Sequence, residues 1–346
     1  MEIQKVLTIG DHFLLPEMMQ SSLRTLVPSG LEYLKAMTQF PLEPVGSIAE
    51  VREASGSEAQ MTEVLRGIAV CVAHHAPFTR KVLESAEHLK LVVICRGGPV
   101  NVNLEAATER GIAVAYAPGR NAAATAEHTV AMITATLRGI PAADASMRKG
   151  EWKGDYTYQN APFELETATV GLVGYGAVGR IVGRILRSFG AQVLVYDPYA
   201  ERDAVEQVEQ VTLDELLRRS AIVSLHARET EESHGIIGAK QIAQMPRGSV
   251  LVNCARGGLL DYNALLAALS SGHLSAAAAD VFAAEPLSAD SPLLKLPNFV
   301  MTPHIAGGTR QAATKAARIA AGEVARFLRQ EPLLHCANPQ VFTKTQ

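Results

Sequence analysis

Short apolar runs recur along this chain, separated by helix-like segments: KVLTIG, AVCVAHH, LKLVVIC, IAVAYAP, TVGLVGYG, QVLVYDP, AIVSLHA, SVLVNCA and FVMTPHI. Runs this short, bounded by turn residues and alternating with helices, are buried strands of βαβ units, so the chain must build parallel sheets. Its 346 residues hold about two such domains at roughly 150 residues each. The first set of strands ends near residues 112–115. A Pro118-Gly119 break follows, then a long helical stretch predicted over 122–148, and the domain boundary is placed at that break. A polar connector, KGEWKGDYTYQNAPFE, precedes a second alternating set over 169–305. An Ala-rich last helix over 309–329 carries Ile319, Val324, Phe327 and Leu328 as its expected packing side.

Several classes are excluded early. Lys plus Arg number 32 against 35 Asp plus Glu, a net charge of −3, which offers no field for a nucleic acid. The opening MEIQKVLTIGD lacks the basic region and apolar run of an export signal. No uncharged stretch approaches the roughly 18 apolar residues of a membrane span. Cys71, Cys95, Cys254 and Cys336 form no CxxC pair, which argues against a zinc site or a disulfide framework. No metal is expected, and a cytoplasmic location fits.

The strand TVGLV runs directly into Gly174-Tyr175-Gly176-Ala177-Val178-Gly179 and a helix. This is G-x-G-x-x-G in its required context. Gly174 permits the tight turn, Gly176 lets the backbone approach a pyrophosphate, and Gly179 lets helix and strand pack closely, with the helix N-terminus facing the anion. The next strand ends at Asp197, where a carboxylate accepts from ribose hydroxyls and repels a 2′-phosphate, favouring NAD over NADP. The plainer reading of Asp197, the start of an Asp-Pro turn, does not explain the strand–turn–helix context.

Arg256, Glu285 and His304 each sit at the end of a strand-like segment, where open α/β sheets place ligands. Singly, they read as a solvated arginine, a Glu-Pro turn and a core histidine. Together they suit reduction of a 2-keto acid: Arg256 grips the carboxylate and polarises the carbonyl, His304 donates a proton to the forming hydroxyl, and Glu285 holds the imidazole.

Taken in order, GYGAVG, YDP, NCARGG, DVFAAEP and TPHIAG, with NAAATAEH at 121–128, resemble the NAD-dependent D-isomer-specific 2-hydroxyacid dehydrogenases, the family that includes D-3-phosphoglycerate dehydrogenase, over nearly the whole chain. The resemblance implies an α/β fold in which a Rossmann NAD-binding domain, residues 117–306, is inserted into a flavodoxin-like substrate-binding domain made of residues 1–116 and 307–346. It implies that Arg256, Glu285 and His304 are the catalytic trio and that Asp280 lies by the nicotinamide carboxamide. Further cofactor contacts are implied at Ala177, Val178, His226, Ala227, Cys254, Ala255, Arg256 and His304. The implied partners are a small 2-keto or 2-hydroxy acid and a second copy of the chain, paired through the cofactor domain and the long helix.

The chain departs from the family in places. Its substrate loop, Cys95 to Asn103, looks shortened, with Asn103 where an Asp is usual; Gly97, Gly98 and Val100 are the candidate main-chain contacts. Arg96, His74 and His75 are candidate contacts to an acidic substrate tail. In the cofactor loop, Arg228 replaces a usual Pro. Too few residues follow His304 for the regulatory domain of some relatives, so none is expected. Two other functions fit the same motifs: an NADP-preferring glyoxylate or hydroxypyruvate reductase, and an NAD(H)-sensing corepressor-like binding protein.

Overall fold

Residues that alternate along a buried strand must feed two different cores, and this chain does so twice. In the computed structural model, which describes residues 4–27, 29–152, 154, 157–158, 161–200 and 208–343, two compact units form: residues 1–121 with 308–346, and residues 122–307.

The first unit contains strands β1 (Gln4–Gly10), β2 (Leu31–Met37), β3 (Gly46–Ile48), β4 (Val51–Ala54), β5 (Val70–Ala73), β6 (Leu91–Ile94) and β7 (Ala113–Tyr116). Five of them make a parallel sheet in the order β2-β1-β5-β6-β7, while β3 and β4 pair as a hairpin. This is the flavodoxin-like order, in which the winding reverses between β1 and β5. Cys71, Ala73, Val92, Ile94 and Val114 enter one core; Val70, Val72, Leu91, Val93 and Ala115 enter the other.

The helix Arg310–Leu328 covers the second face and lies against the helix Pro16–Leu26. Its buried side is built of Ala313, Ala316, Ala317, Ala320, Ala321 and Val324. Of the expected packing side Val324 is fully buried, while Ile319, Phe327 and Leu328 are only half-buried, so small residues make most of this contact. Alanines let the helix approach the sheet closely at low side-chain entropy cost.

In the second unit, strands β8 (Thr169–Val173), β9 (Gln192–Tyr196), β10 (Glu209–Gln210), β11 (Ile222–Leu225), β12 (Ser249–Asn253), β13 (Leu274–Ala279) and β14 (Phe299–Met301) form a parallel sheet in the order β10-β9-β8-β11-β12-β13-β14. Strands 3-2-1 followed by 4-5-6 is the Rossmann order, with its switch between β8 and β11. Val170, Leu172, Val193, Val195, Val250 and Val252 meet Met132, Ile133 and Leu186 on one face. Val173, Leu194, Val223, Leu225 and Leu251 fill the other.

The helix predicted over 122–148 is two helices, Ala122–Leu137 and Ile140–Arg148. Gly139 adopts φ +61° and Pro141 sits in the next first turn; a left-handed glycine followed by a proline without an N–H ends one helix and starts another. Of the connector after it, Lys153, Asp155, Tyr156, Gln159 and Asn160 lie outside the described residues. Among the described residues, no helix is long and apolar enough to cross a membrane.

Candidate functional site

The glycine-rich turn leaves β8 at the switch point of the second unit. Gly174 has φ +99°, and a Cβ there would stand 2.5 Å from the Ala227 nitrogen, so the turn presses on the loop after β11 and tolerates no side chain. A Cβ on Gly179 would meet the Gly174 carbonyl at 2.4 Å, whereas one on Gly176 would meet nothing within 4 Å. Packing accounts for the outer two glycines; around the middle one there is space. Gly176 caps the helix Ala177–Ser188 without a side-chain hydrogen bond, leaving the amides of Ala177, Val178 and Gly179 for an anion. These residues therefore fit a dinucleotide pyrophosphate.

Asp197 closes the turn from β9. Its Oδ2 accepts the Tyr175 N–H at 2.7 Å and its Oδ1 accepts the Tyr199 N–H at 2.9 Å. A carboxylate has about four acceptor positions, so these two bonds fix its place and leave capacity for hydroxyl donors. Arg228 is exposed.

His226, which directly follows β11, is held neutral: burial pushes its imidazole from 6.5 down to about 4, and its Nε2 has no hydrogen-bond partner. Between those two pH values the unfolded chain binds the extra proton, so stability falls as pH drops from 6.5 towards 4. Thermal unfolding midpoints should decline over that window, and a His226→Gln variant should show a shallower decline. An unchanged slope in the variant would refute the assignment.

Arg256 sits in a turn that β12 positions. Asn253, fully buried, accepts the Ala255 N–H at 3.1 Å through Oδ1 and donates through Nδ2 to the Arg256 carbonyl at 2.9 Å. Sequence reasoning did not single out Asn253; an Asn at a strand end, able to bond the backbone two residues on, is the available signal. Cys254 is buried, and that burial pushes its thiol up to about 12. A Cβ on Gly257 would stand 1.9 Å from the Phe282 carbonyl oxygen. Only glycine lets the Arg256 turn lie against the segment that carries Glu285. Tyr262 reinforces that contact by donating its hydroxyl to the Val281 carbonyl.

Glu285 and His304 are joined. The Nδ1 of His304 lies 2.7 Å from Glu285 Oε2, while Oε1 accepts the Phe282 N–H at 2.8 Å. Burial alone would raise the Glu285 pKa, but the hydrogen bond and charge of His304, with Arg256 nearby, hold it below its usual value. His304 has φ +54°, a left-handed conformation that costs a non-glycine residue about 1–3 kcal/mol.

Asp280 stabilises that strained loop. Its carboxylate accepts from Thr302 Oγ1 at 2.6 Å and from the Ile305 and Ala306 amides at 2.9 Å each, and its carbonyl accepts the His304 N–H at 2.8 Å. Asp280 is fully buried, so its carboxylate is engaged in shaping the histidine loop. His128 braces Thr302 at 3.0 Å.

The remaining candidates belong to the first unit. The Gly97, Gly98 and Val100 amides donate to nothing among the described residues. Arg96 is buried, donates to the Glu53 carbonyl at 3.1 Å and is ion-paired with the Glu53 carboxylate. His75 is also buried, its Nδ1 2.9 Å from the same carbonyl.

Residues 130–306 match the family model described as D-isomer specific 2-hydroxyacid dehydrogenase, NAD binding domain. The chain is 37% identical to a D-3-phosphoglycerate dehydrogenase of Archaeoglobus fulgidus over 85% of its own length and 55% of that protein. It thus spans about half the length of that relative. It is 35% identical to a glyoxylate reductase of Korarchaeum cryptofilum, over 77% of this chain and 81% of the relative. The crystal structure of a Thermus thermophilus protein superposes with a TM-score of 0.81 at 29% identity, covering 96% of this chain and 99% of the other. The chain belongs to the D-isomer-specific 2-hydroxyacid dehydrogenase family.

Proposed function

We propose that this protein interconverts a 2-keto acid and a D-2-hydroxy acid using NAD(H), with the second unit binding the cofactor and the first the substrate. The observation that carries this reading is the 2.7 Å His304–Glu285 pair on the same unit as Arg256 and the glycine-rich turn. NADH, when bound, supplies the hydride. Arg256 holds the substrate carboxylate through its guanidinium fork and withdraws electron density from the carbonyl. His304 gives a proton to the alkoxide oxygen, and Glu285 fixes the imidazole so that its Nε2 faces the substrate. The amides of Gly97, Gly98 and Val100 bind the carboxylate, while Arg96 and His75 hold that loop through Glu53 instead of touching substrate.

NAD over NADP rests on Asp197, which repels a 2′-phosphate. The test is loss of nicotinamide absorbance with NADH and, separately, NADPH across glyoxylate, pyruvate, hydroxypyruvate, phosphohydroxypyruvate and 2-ketoglutarate. Turnover with NADH exceeding that with NADPH is expected. Turnover with NADPH alone would favour the NADP-dependent reductase reading, and tight NADH binding without any turnover would favour a nucleotide-sensing role.

The assembly reads as a homodimer. The helix Ile140–Arg148 buries none of its residues, and Ile140, Met147 and Trp152 are 55%, 52% and 88% exposed, an apolar surface of the kind that a second copy covers. Light scattering at a two-chain mass checks it. The free cysteines support a reducing, cytoplasmic setting.

A further inference from the structure

The hairpin of β3 and β4 is strapped to the substrate loop. The Arg52 N–H donates to the Val100 carbonyl at 3.0 Å, and Asn103 Nδ2 donates to Glu50 Oε1 at 2.7 Å. That hydrogen bond, with a second from the Arg80 N–H, holds the Glu50 carboxyl below its usual pKa and so ionised.

Glu53, on the same hairpin, has φ +48°, a left-handed conformation that a non-glycine residue keeps only where its surroundings enforce it. Two groups of this one residue then meet one guanidinium. Its carbonyl accepts from Arg96 Nη1 at 3.1 Å, and its carboxylate is ion-paired with Arg96 Nη2. The Arg96 side chain is 8% exposed, so solvent and salt screen the pair little.

The other basic candidates for a substrate tail are committed in the same way. His75 Nδ1 lies 2.9 Å from the Glu53 carbonyl. His74 Nδ1 lies 2.6 Å from Asp11 Oδ2, and both side chains are buried. Burial lowers the His74 pKa, against the raising effect of Asp11, and the charge of Arg120 lowers it further. That ring is therefore neutral at pH 7. Burial would raise Asp11, but the hydrogen bond and charge of His74 and the Leu14 amide hold it below its usual value, so it is ionised.

Three carboxylates, Asp11, Glu50 and Glu53, thus stand against three guanidiniums, Arg52, Arg96 and Arg120, and no net positive charge remains around the loop. A phosphate monoester carries about −1.5 to −2 at pH 7. Recognising it away from bulk water requires cationic donors whose charge is not already met. A keto acid without that group brings one carboxylate, which the proposed function gives to Arg256 and the loop amides.

We infer that Glu53 sets the substrate class: by neutralising Arg96 it restricts the enzyme to 2-keto acids that carry no second anionic group. This rests on the keto-acid reaction proposed above. Glu53 is a specificity-determining residue that acts through Arg96, and it discriminates by withholding a cation from the wrong substrate.

Hydroxypyruvate and phosphohydroxypyruvate differ by the phosphoryl group alone, so the experiment is kcat/KM for both with NADH, beside glyoxylate, pyruvate and 2-ketoglutarate. For the wild type, the best substrate of this panel is expected to be glyoxylate, pyruvate or hydroxypyruvate. Hydroxypyruvate should exceed phosphohydroxypyruvate by at least about tenfold, the value of one charge-assisted hydrogen bond left unmade. Glu53→Gln keeps the shape and the carbonyl contacts but removes the charge, so it should narrow that ratio by about tenfold, chiefly through a lower KM for phosphohydroxypyruvate. Inorganic phosphate should likewise become a tighter competitive inhibitor against hydroxypyruvate in the variant. Circular dichroism checks that the variant is folded, and the wild-type ratio decides the matter even if it is not. A wild type that prefers phosphohydroxypyruvate or 2-ketoglutarate overturns the inference while leaving the keto-acid reaction standing. A folded Glu53→Gln with the wild-type ratio and the wild-type response to phosphate also overturns it. No turnover of any 2-keto acid overturns the reaction itself, and this inference with it.

Discussion

A His304→Ala variant is expected to lose about 10²- to 10⁴-fold in kcat, the range contributed by a positioned general acid, while its affinity for NADH stays within about twofold. The reasoning begins with the backbone. A histidine held at φ +54° against the cost of that conformation is held there by something, and the Asp280 carbonyl and carboxylate supply four hydrogen bonds to residues 302–306. With Nδ1 tied to Glu285, the ring presents Nε2 as its proton-donating atom. Alanine removes the proton donor but leaves the loop and the glycine-rich turn in place, so the loss belongs in turnover and not in cofactor binding. Stopped-flow binding of NADH beside steady-state kinetics measures both quantities. A kcat within threefold of wild type would remove His304 from the reaction. Glu285→Gln should lose less, because Glu285 acts through the imidazole.

Much of this arrangement could be read from residue order because its key elements are local. The turn at Gly174–Gly179 and the buried strands feeding it are contiguous in sequence, and hydrophobic runs reveal fully buried strands well. β2 escaped notice because only Leu31, Tyr33 and Ala36 of Leu31–Met37 are even partly covered, as suits an edge strand. β13 escaped because its sequence, LSAAAA, resembles a helix; it extends because neighbours on both sides supply hydrogen bonds, a tertiary effect that overrides propensity. The pairing of Arg96 with Glu53 and of Asp11 with His74 joins positions 43 and 63 residues apart. No local pattern encodes such pairs. Arg96, a candidate contact to an acidic substrate tail by its place in the loop, is ion-paired inside the unit with Glu53.

On the proposed function Arg256 is the cation that grips the substrate carboxylate, and this sets the second large expectation. A guanidinium that grips a carboxylate through two charge-assisted hydrogen bonds contributes about 1.5–3 kcal/mol per bond. Losing both in Arg256→Ala should therefore raise KM for the keto acid by at least about 10²-fold, with KM for NADH nearly unchanged. Arg256→Lys keeps the charge but loses the planar fork, so it should recover only part of the loss. The turn itself should survive either change, because Asn253 holds it through main-chain atoms and Gly257 sets its closeness to Phe282. Circular dichroism and an NADH titration on each variant check that premise. If the keto-acid KM moves less than threefold while the fold is intact, the carboxylate is held elsewhere, and the amides of Gly97, Gly98 and Val100 carry that binding without the arginine.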